Sequence, residues 1–239
     1  MRGEKKTVSR KWAAALACLA LVLAAAFAAV FIHGGYADRV LAKLGFRRSA
    51  VPVSWAEGWE RCLKYMDVDA EIVFFGDSIT SGGNFNALFP ERNVCNLGVP
   101  GDTIEGMTAR AGMIAAVKPE KVFVLGGINS LCDGNSDAVL KVYRTMLDRI
   151  GEVTDAEVYI QGILPVSAKQ EERLHVKNTT ITRFNERIAD LAAEKGFHYI
   201  DLPGFFLADG VINPHYTKEG IHLTEEGYRV WADAIAGYI

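Results

Sequence analysis

The chain predicts an α/β fold in which a parallel sheet is covered by helices on both faces. Two observations carry this. Short apolar runs, most of them rich in Val, Ile, Phe or Tyr, recur at residues 71–75, 93–97, 121–125, 157–160 and 198–201, the length and composition of buried parallel strands. Between them lie segments whose apolar residues repeat at the 3.6-residue helical period. Repeated strand–helix units joined by right-handed crossovers build such a sheet. A third observation bounds the size: 239 residues, 50% of them hydrophobic, suit one sizeable core, since a domain takes ~100–200 residues.

Taken in order, residues 1–11 hold Arg2, Lys5, Lys6, Arg10 and Lys11 against Glu4, a basic tail of formal charge +4. Residues 12–32 are 21 positions without a charge or a strongly polar side chain. At about 1.5 Å per residue such a helix matches the ~30 Å hydrocarbon core of a bilayer. Basic residues ahead of it keep the N-terminus cytoplasmic and export the rest. Cleaved signals have a shorter apolar region of roughly 7–15 residues, so an uncleaved anchor is favoured. A secreted form cut near Gly35-Tyr36-Ala37 is the alternative. Residues 33–53 read as a linker, with Gly34-Gly35, Arg47-Arg48 and Pro52. A short helix follows, with Trp55, Trp59, Cys62, Leu63 and Met66 at helical spacing.

Residues 54–239 form the α/β domain. After the second strand, Asp102 with Glu105 resembles a capping box, and Ile104, Met107, Ala111, Ile114 and Ala115 continue the stripe. Ser136 or Asp137 caps a helix with Val139, Leu140, Tyr143, Met146, Leu147 and Ile150 on one face. Ile181, Phe184, Ile188 and Leu191 give a third stripe. Thr224 caps the last helix, with Glu225 and Glu226 at the positive end of its dipole. Val230, Trp231, Ala234, Ile235 and Tyr238 face inward there.

The whole chain carries −3, which leaves −7 on residues 12–239. A mildly acidic body without a basic stripe argues against a nucleic-acid partner. The cysteines outside the apolar segment, Cys62, Cys95 and Cys132, fit no zinc spacing and read as small buried hydrophobes. No motif implies a metal or cofactor. Nothing in the sequence sets the oligomeric state.

In such folds ligands bind at the carboxyl ends of the strands, and the loops there hold the unusual residues. Gly76-Asp77-Ser78 follows the first strand; Gly76 lets the chain turn and Ser78 sits over the strand end. Alone, the motif is weak, and Ser78 reads better as a helix cap. Asn96-Leu97-Gly98-Val99-Pro100-Gly101-Asp102 follows the second strand, and Gly98 allows a substrate oxygen close to the main chain. Gly126-Gly127-Ile128-Asn129-Ser130 follows the third, where the Asn129 amide offers N–H donors. Glu219-Gly220-Ile221-His222-Leu223-Thr224 precedes the last helix, with His222 between two apolar neighbours. Together the four supply a nucleophile, oxyanion donors and a general base, the parts of an acyl-transfer site.

These four blocks resemble those of the SGNH (GDSL-type) hydrolases, in order and over roughly residues 70–239. Residues 211–224 resemble the family's final block throughout. The resemblance implies a three-layer α/β/α, flavodoxin-like fold with a five-stranded parallel sheet. It implies Ser78 as nucleophile, an oxyanion hole from the Ser78 and Gly98 N–H groups and the Asn129 side chain, and His222 as base. Glu219 stands where the family usually has aspartate; its carboxylate, on a stem one methylene longer, would orient His222. Ser130 stands where many members have aspartate.

The function expected is hydrolysis of carboxylic esters without a cofactor. Little room for a lid between the blocks favours an open site and short acyl groups. Export suits an O-acetyl ester on an extracellular or cell-wall carbohydrate. A lysophospholipase or platelet-activating-factor-acetylhydrolase-like lipid esterase is the next reading. An O-acyltransferase or a non-catalytic glycan-binding module remain further alternatives.

Overall fold

A computed structural model describes residues 67–239 apart from 133–134, together with residues 58, 62 and 63. The expected basic tail, the 12–32 anchor and the linker lie outside the described residues, as do Trp55, Trp59 and Met66 of the short helix. Among the described residues no helix is long and apolar enough to cross a membrane.

The chain alternates strand and helix as its periodicity requires. β1 (Ile72–Gly76) leads through α1 (Ser78–Ser81) and α2 (Phe85–Leu88) to β2 (Val94–Gly98). Two short helices, α3 (Ile104–Ala109) and α4 (Gly112–Val117), precede β3 (Lys121–Leu125). Then come α5 (Ile128–Leu131), α6 (Ser136–Val153) and β4 (Glu157–Gln161). α7 (Ala168–Leu174) and α8 (Asn178–Lys195) lead to β5 (His198–Ile200). A two-residue hairpin, β6 (Leu207–Ala208) and β7 (Val211–Ile212), precedes the last helix, α9 (Glu225–Ile235).

The five main strands are all parallel, in the order β2-β1-β3-β4-β5. That order runs outward in both directions from β1, so the topological switch point falls between β1 and β3, where open α/β sheets bind ligands. The inner strands β1, β3 and β4 are almost wholly buried because both faces are covered, while the edge strands β2 and β5 keep half-buried or exposed positions. On one face Phe74, Phe123, Tyr159 and His198 lie in register across four strands, each ring stacked on the next at 4.8–5.2 Å. α2 and α9 cover that ladder: Phe85 stacks on Phe74, and Trp231 meets both edge-on. The opposite layer holds α6 and α8, joined by an edge contact of Tyr143 with Phe184.

Several local expectations are corrected. α3 is capped by Thr103, whose hydroxyl accepts from the Gly106 N–H, because the Asp102 carboxylate is taken by Arg110. The helix expected to run on through Ala111 and Ile114 is interrupted at Arg110 into α3 and α4. α6 is capped by Asn135, accepting from Asp137, one residue before the expected Ser136. Thr224 caps α9 as its sequence implied. On α9, Trp231 and Ile235 are buried, joined by Tyr228, whereas Tyr238 is 40% exposed. Cys62 is exposed, contrary to a core role, while Cys132 is buried.

Candidate active site

Each side chain of interest sits where a strand ends. β1 stops at Gly76, and a Cβ there would lie 2.1 Å from the Leu125 carbonyl oxygen, so the turn out of the sheet requires glycine. Asp77 then caps α1, accepting from the Ile79 N–H at 3.0 Å. Ser78 becomes the first helical residue. Its own N–H is one of the donors a helix N-terminus leaves unpaired, and it makes no hydrogen bond among the described residues.

His222 reaches this serine from the far end of the chain, with Nε2 2.9 Å from Ser78 Oγ. Its Nδ1 is hydrogen-bonded to Glu219 Oε1. The loop carrying both closes on itself. The Thr217 hydroxyl accepts from the Gly220 N–H and donates to the His222 carbonyl. The Lys218 N–H donates to the same carbonyl, and Thr217 bridges Leu223. Ile221 and Leu223 are buried on either side of His222, which turns the imidazole outward. The loop is docked on α7, because Ser167 N–H donates to the Gly220 carbonyl and the Gln170 amide donates to the Glu219 carbonyl at 2.7 Å. His222 and Glu219 are each a little under half exposed.

The residues expected as oxyanion donors are placed less simply. Asn129, the second residue of α5 after the turn that ends β3, donates one amide hydrogen to the Asp102 carbonyl at 2.9 Å, which leaves its second N–H for a ligand. Gly98 does not fit its expected part. Its N–H already donates to Asn96 Oδ1 at 2.8 Å, and its Cα packs against Ser81, where a Cβ would approach the main chain to 2.2 Å. Gly98 is thus a close-packing glycine at the end of β2. Gly101, three residues on, has φ +75 and open space around its Cα. Its N–H makes no hydrogen bond among the described residues, and it directly precedes the Asp102 that holds Asn129. Ser130 turns inward to accept from the Ile104 N–H at the start of α3.

Four polar residues not expected from the sequence to take part in the site complete the surroundings. Asn96 donates to the carbonyls of Thr80 and Gly83, both at 2.9 Å, tying α1 to β2. Asp77 is wholly buried, and loss of hydration pushes its carboxyl up to about 6, against the opposing pull of the Ile79 N–H. Arg110 and Asp102 form an ion pair at 2.6 Å with both side chains inaccessible. Burial pushes the Asp102 carboxyl up and the Arg110 guanidinium down, and their mutual attraction opposes both. Among the described residues no cluster of His, Cys, Asp and Glu is arranged to hold a metal ion.

Known proteins share this arrangement of elements. The chain is 29% identical over 171 residues to subunit alpha1 of the Bos taurus platelet-activating factor acetylhydrolase IB, covering 68% of this chain and 72% of that one. Its structure is similar to a GDSL-like lipase from Bacteroides thetaiotaomicron, with TM-score 0.66 and 20% identity over 78% of this chain and 98% of the other. A variant of an acetyl-xylooligosaccharide esterase from Geobacillus gives TM-score 0.57 and 18% identity, over 71% and 94%. At these identities the two structures speak for the fold alone. The profile of the GDSL-like Lipase/Acylhydrolase family matches residues 74–230, a span that includes Ser78, Asn129, Glu219 and His222, and the chain belongs to that family of ester-bond hydrolases.

Proposed function

We propose that the protein hydrolyses short-chain carboxylic esters through Ser78, with an O-acetyl group on an extracellular or cell-wall carbohydrate as its substrate. The observation that carries this reading is the hydrogen-bonded series Ser78, His222 and Glu219 at the carboxyl end of β1. His222 Nε2 accepts the Ser78 proton as Oγ attacks the ester carbonyl. Glu219 holds the imidazole by Nδ1–H and stabilises the imidazolium that forms. The Ser78 N–H and the free Asn129 amide hydrogen meet the developing oxyanion. From the loop after β2, the unpaired Gly101 N–H is the third donor in place of Gly98. His222 then protonates the leaving alcohol, and water cleaves the acyl-enzyme by the same steps reversed.

The half-exposed base and acid support an open site able to admit a bulky alcohol with a small acyl group. Two relatives carry acetyl esters in their names, one of a xylo-oligosaccharide and one of platelet-activating factor. The second, at 29% identity, favours an acetylated lipid as the runner-up substrate. Residues 1–32 keep the anchored, exported form in this reading, with a secreted form as its alternative.

The test is hydrolysis by the full chain of aryl esters of increasing acyl length, then of acetylated xylo-oligosaccharides against an acetylated ether phospholipid. Acetyl and propionyl esters are expected to be best, Ser78→Ala inert, and Glu219→Gln slower by about 10²–10⁴ in kcat. Inertness of the wild type on every ester, or full activity of Ser78→Ala, removes the serine-esterase reading. Preference for the lipid over the sugar ester replaces the substrate.

A further inference from the structure

We infer that Arg110 is a positioning residue that assembles the oxyanion hole, acting through the three site loops it holds together. This rests on the ester-hydrolase reading above.

The guanidinium lies in the interior between the ends of β1 and β2 and the turn after β2. Nη2 donates to the Gly76 carbonyl at 2.7 Å, two residues before Ser78. Nη1 donates to the Leu97 carbonyl at 2.7 Å, at the end of β2. Nε donates to Asp102 Oδ2 at 2.6 Å, and Asp102 follows Gly101. The backbone carbonyl of the same Asp102 holds the Asn129 amide at 2.9 Å. One side chain thus ties the Ser78 turn to the turn bearing Gly101, and that turn to Asn129. The guanidinium carbon lies over the Phe75 ring, 4.2 Å from its centroid.

Only a planar fork serves three acceptors in three directions while positioned over a ring; an ammonium is a point donor. Without the fork, the Asp102 carboxylate becomes a buried unpaired charge. The turn must then open to hydrate it, carrying the Gly101 N–H and the Asn129 anchor away from the Ser78 N–H. His222 and Glu219 are held elsewhere, by the closed Thr217–Leu223 loop docked on α7. The geometry therefore separates two effects. Loss of Arg110 should weaken stabilisation of the tetrahedral species and leave the base and its ionisation as they were.

The experiment compares wild type, Arg110→Lys, Arg110→Met, Asn129→Ala and the Arg110→Lys/Asn129→Ala double variant in the full chain. Each is quantified as folded protein by circular dichroism, and Ser78→Ala serves as the blank. Steady-state hydrolysis of an aryl acetate is read across pH. The rate of Ser78 phosphonylation by an aryl phosphonate, whose adduct oxygen occupies the hole, is read alongside. Expected for Arg110→Lys is a fall in kcat of the order of 10²–10³, the loss typical of one oxyanion donor, with KM and the shape of the pH profile little changed. Phosphonylation should slow in parallel. Its combination with Asn129→Ala should be far less than multiplicative, as for groups acting as one unit.

Wild-type kcat in folded Arg110→Lys overturns the inference, and so does a fully multiplicative double variant. Failure of both Arg110 variants to fold overturns it too, since it makes the guanidinium a folding residue. Inactivity of the wild type, or activity of Ser78→Ala, would instead bring down the esterase reading itself.

Discussion

At the scale of single residues, Asp77 is an acid held in an unfavourable place by its neighbours. Its carboxyl titrates at about 6 in the folded chain against 3.8 for an ordinary aspartate, so the fold favours the protonated form. The contribution to stability is therefore fully present below about pH 4 and is lost as the pH rises through about 6. At pH 7 the penalty corresponds to roughly 3 kcal/mol. Asp77→Asn keeps an oxygen for the Ile79 N–H while removing the charge. Urea unfolding across pH 4–8 should show the variant more stable than wild type above pH 6, with the two converging near pH 4. A constant difference across that range would mean that Asp77 does not titrate as described. The sequence marked this residue only as the neighbour of Ser78. Its burial depends on how α1 turns back over the sheet, which local pattern does not encode.

At the scale of elements, the strands were legible almost to the residue. The β1 and β2 boundaries each move by one position, because Gly76 and Gly98 read as punctuation yet still pair as strand residues. The helical stripes were legible too: Ile181, Phe184, Ile188 and Leu191 are all buried on α8. What stayed hidden was non-local. Arg110 sits within an apolar stripe, and its acceptors come from two strands and a turn, so no spacing announces it. The same pairing removed Asp102 from the cap it seemed suited for, and an Asn96 side chain took the Gly98 N–H. Ser78, Asn129, Glu219 and His222 stood out because each belongs to a short stretch at a strand end or ahead of a helix whose residue types are unusual for a turn. α9 shows the energetic side of element packing. Trp231 is fully buried against Phe74 and Phe85, and its indole N–H donates to Gln161 at 2.6 Å. Trp231→Ala should cost about 3–5 kcal/mol in denaturant unfolding. A loss below 1 kcal/mol would show that α9 is not packed on the aromatic ladder.

At the scale of the whole molecule, the β2-β1-β3-β4-β5 order places the Ser78 and Asn129 loops on either side of the switch point. The loop after β2 closes the third side, and the C-terminal segment brings His222 across. Four stretches distant in sequence thus meet at one rim, and none of them alone distinguishes a catalytic serine from a cap. Under the function proposed above, the apolar stretch at residues 12–32 would anchor the chain in a membrane. The full chain should sediment with membranes, resist carbonate extraction and be released by detergent, with the hydrolase domain open to externally added protease. Recovery in the soluble fraction at full length would remove the anchor from the proposal.

The closed Thr217–Leu223 loop has a consequence for how the enzyme can be remodelled. Glu219 and His222, the proposed acid and base, are held to each other by bonds that begin and end within seven residues, so their alignment travels with the loop as a unit. Among the described residues, the hydrogen bond from His222 to Ser78 joins that unit to the end of β1. The surrounding rim can therefore change shape to admit another alcohol, over evolutionary time or by design, while the proton-transfer couple is inherited intact.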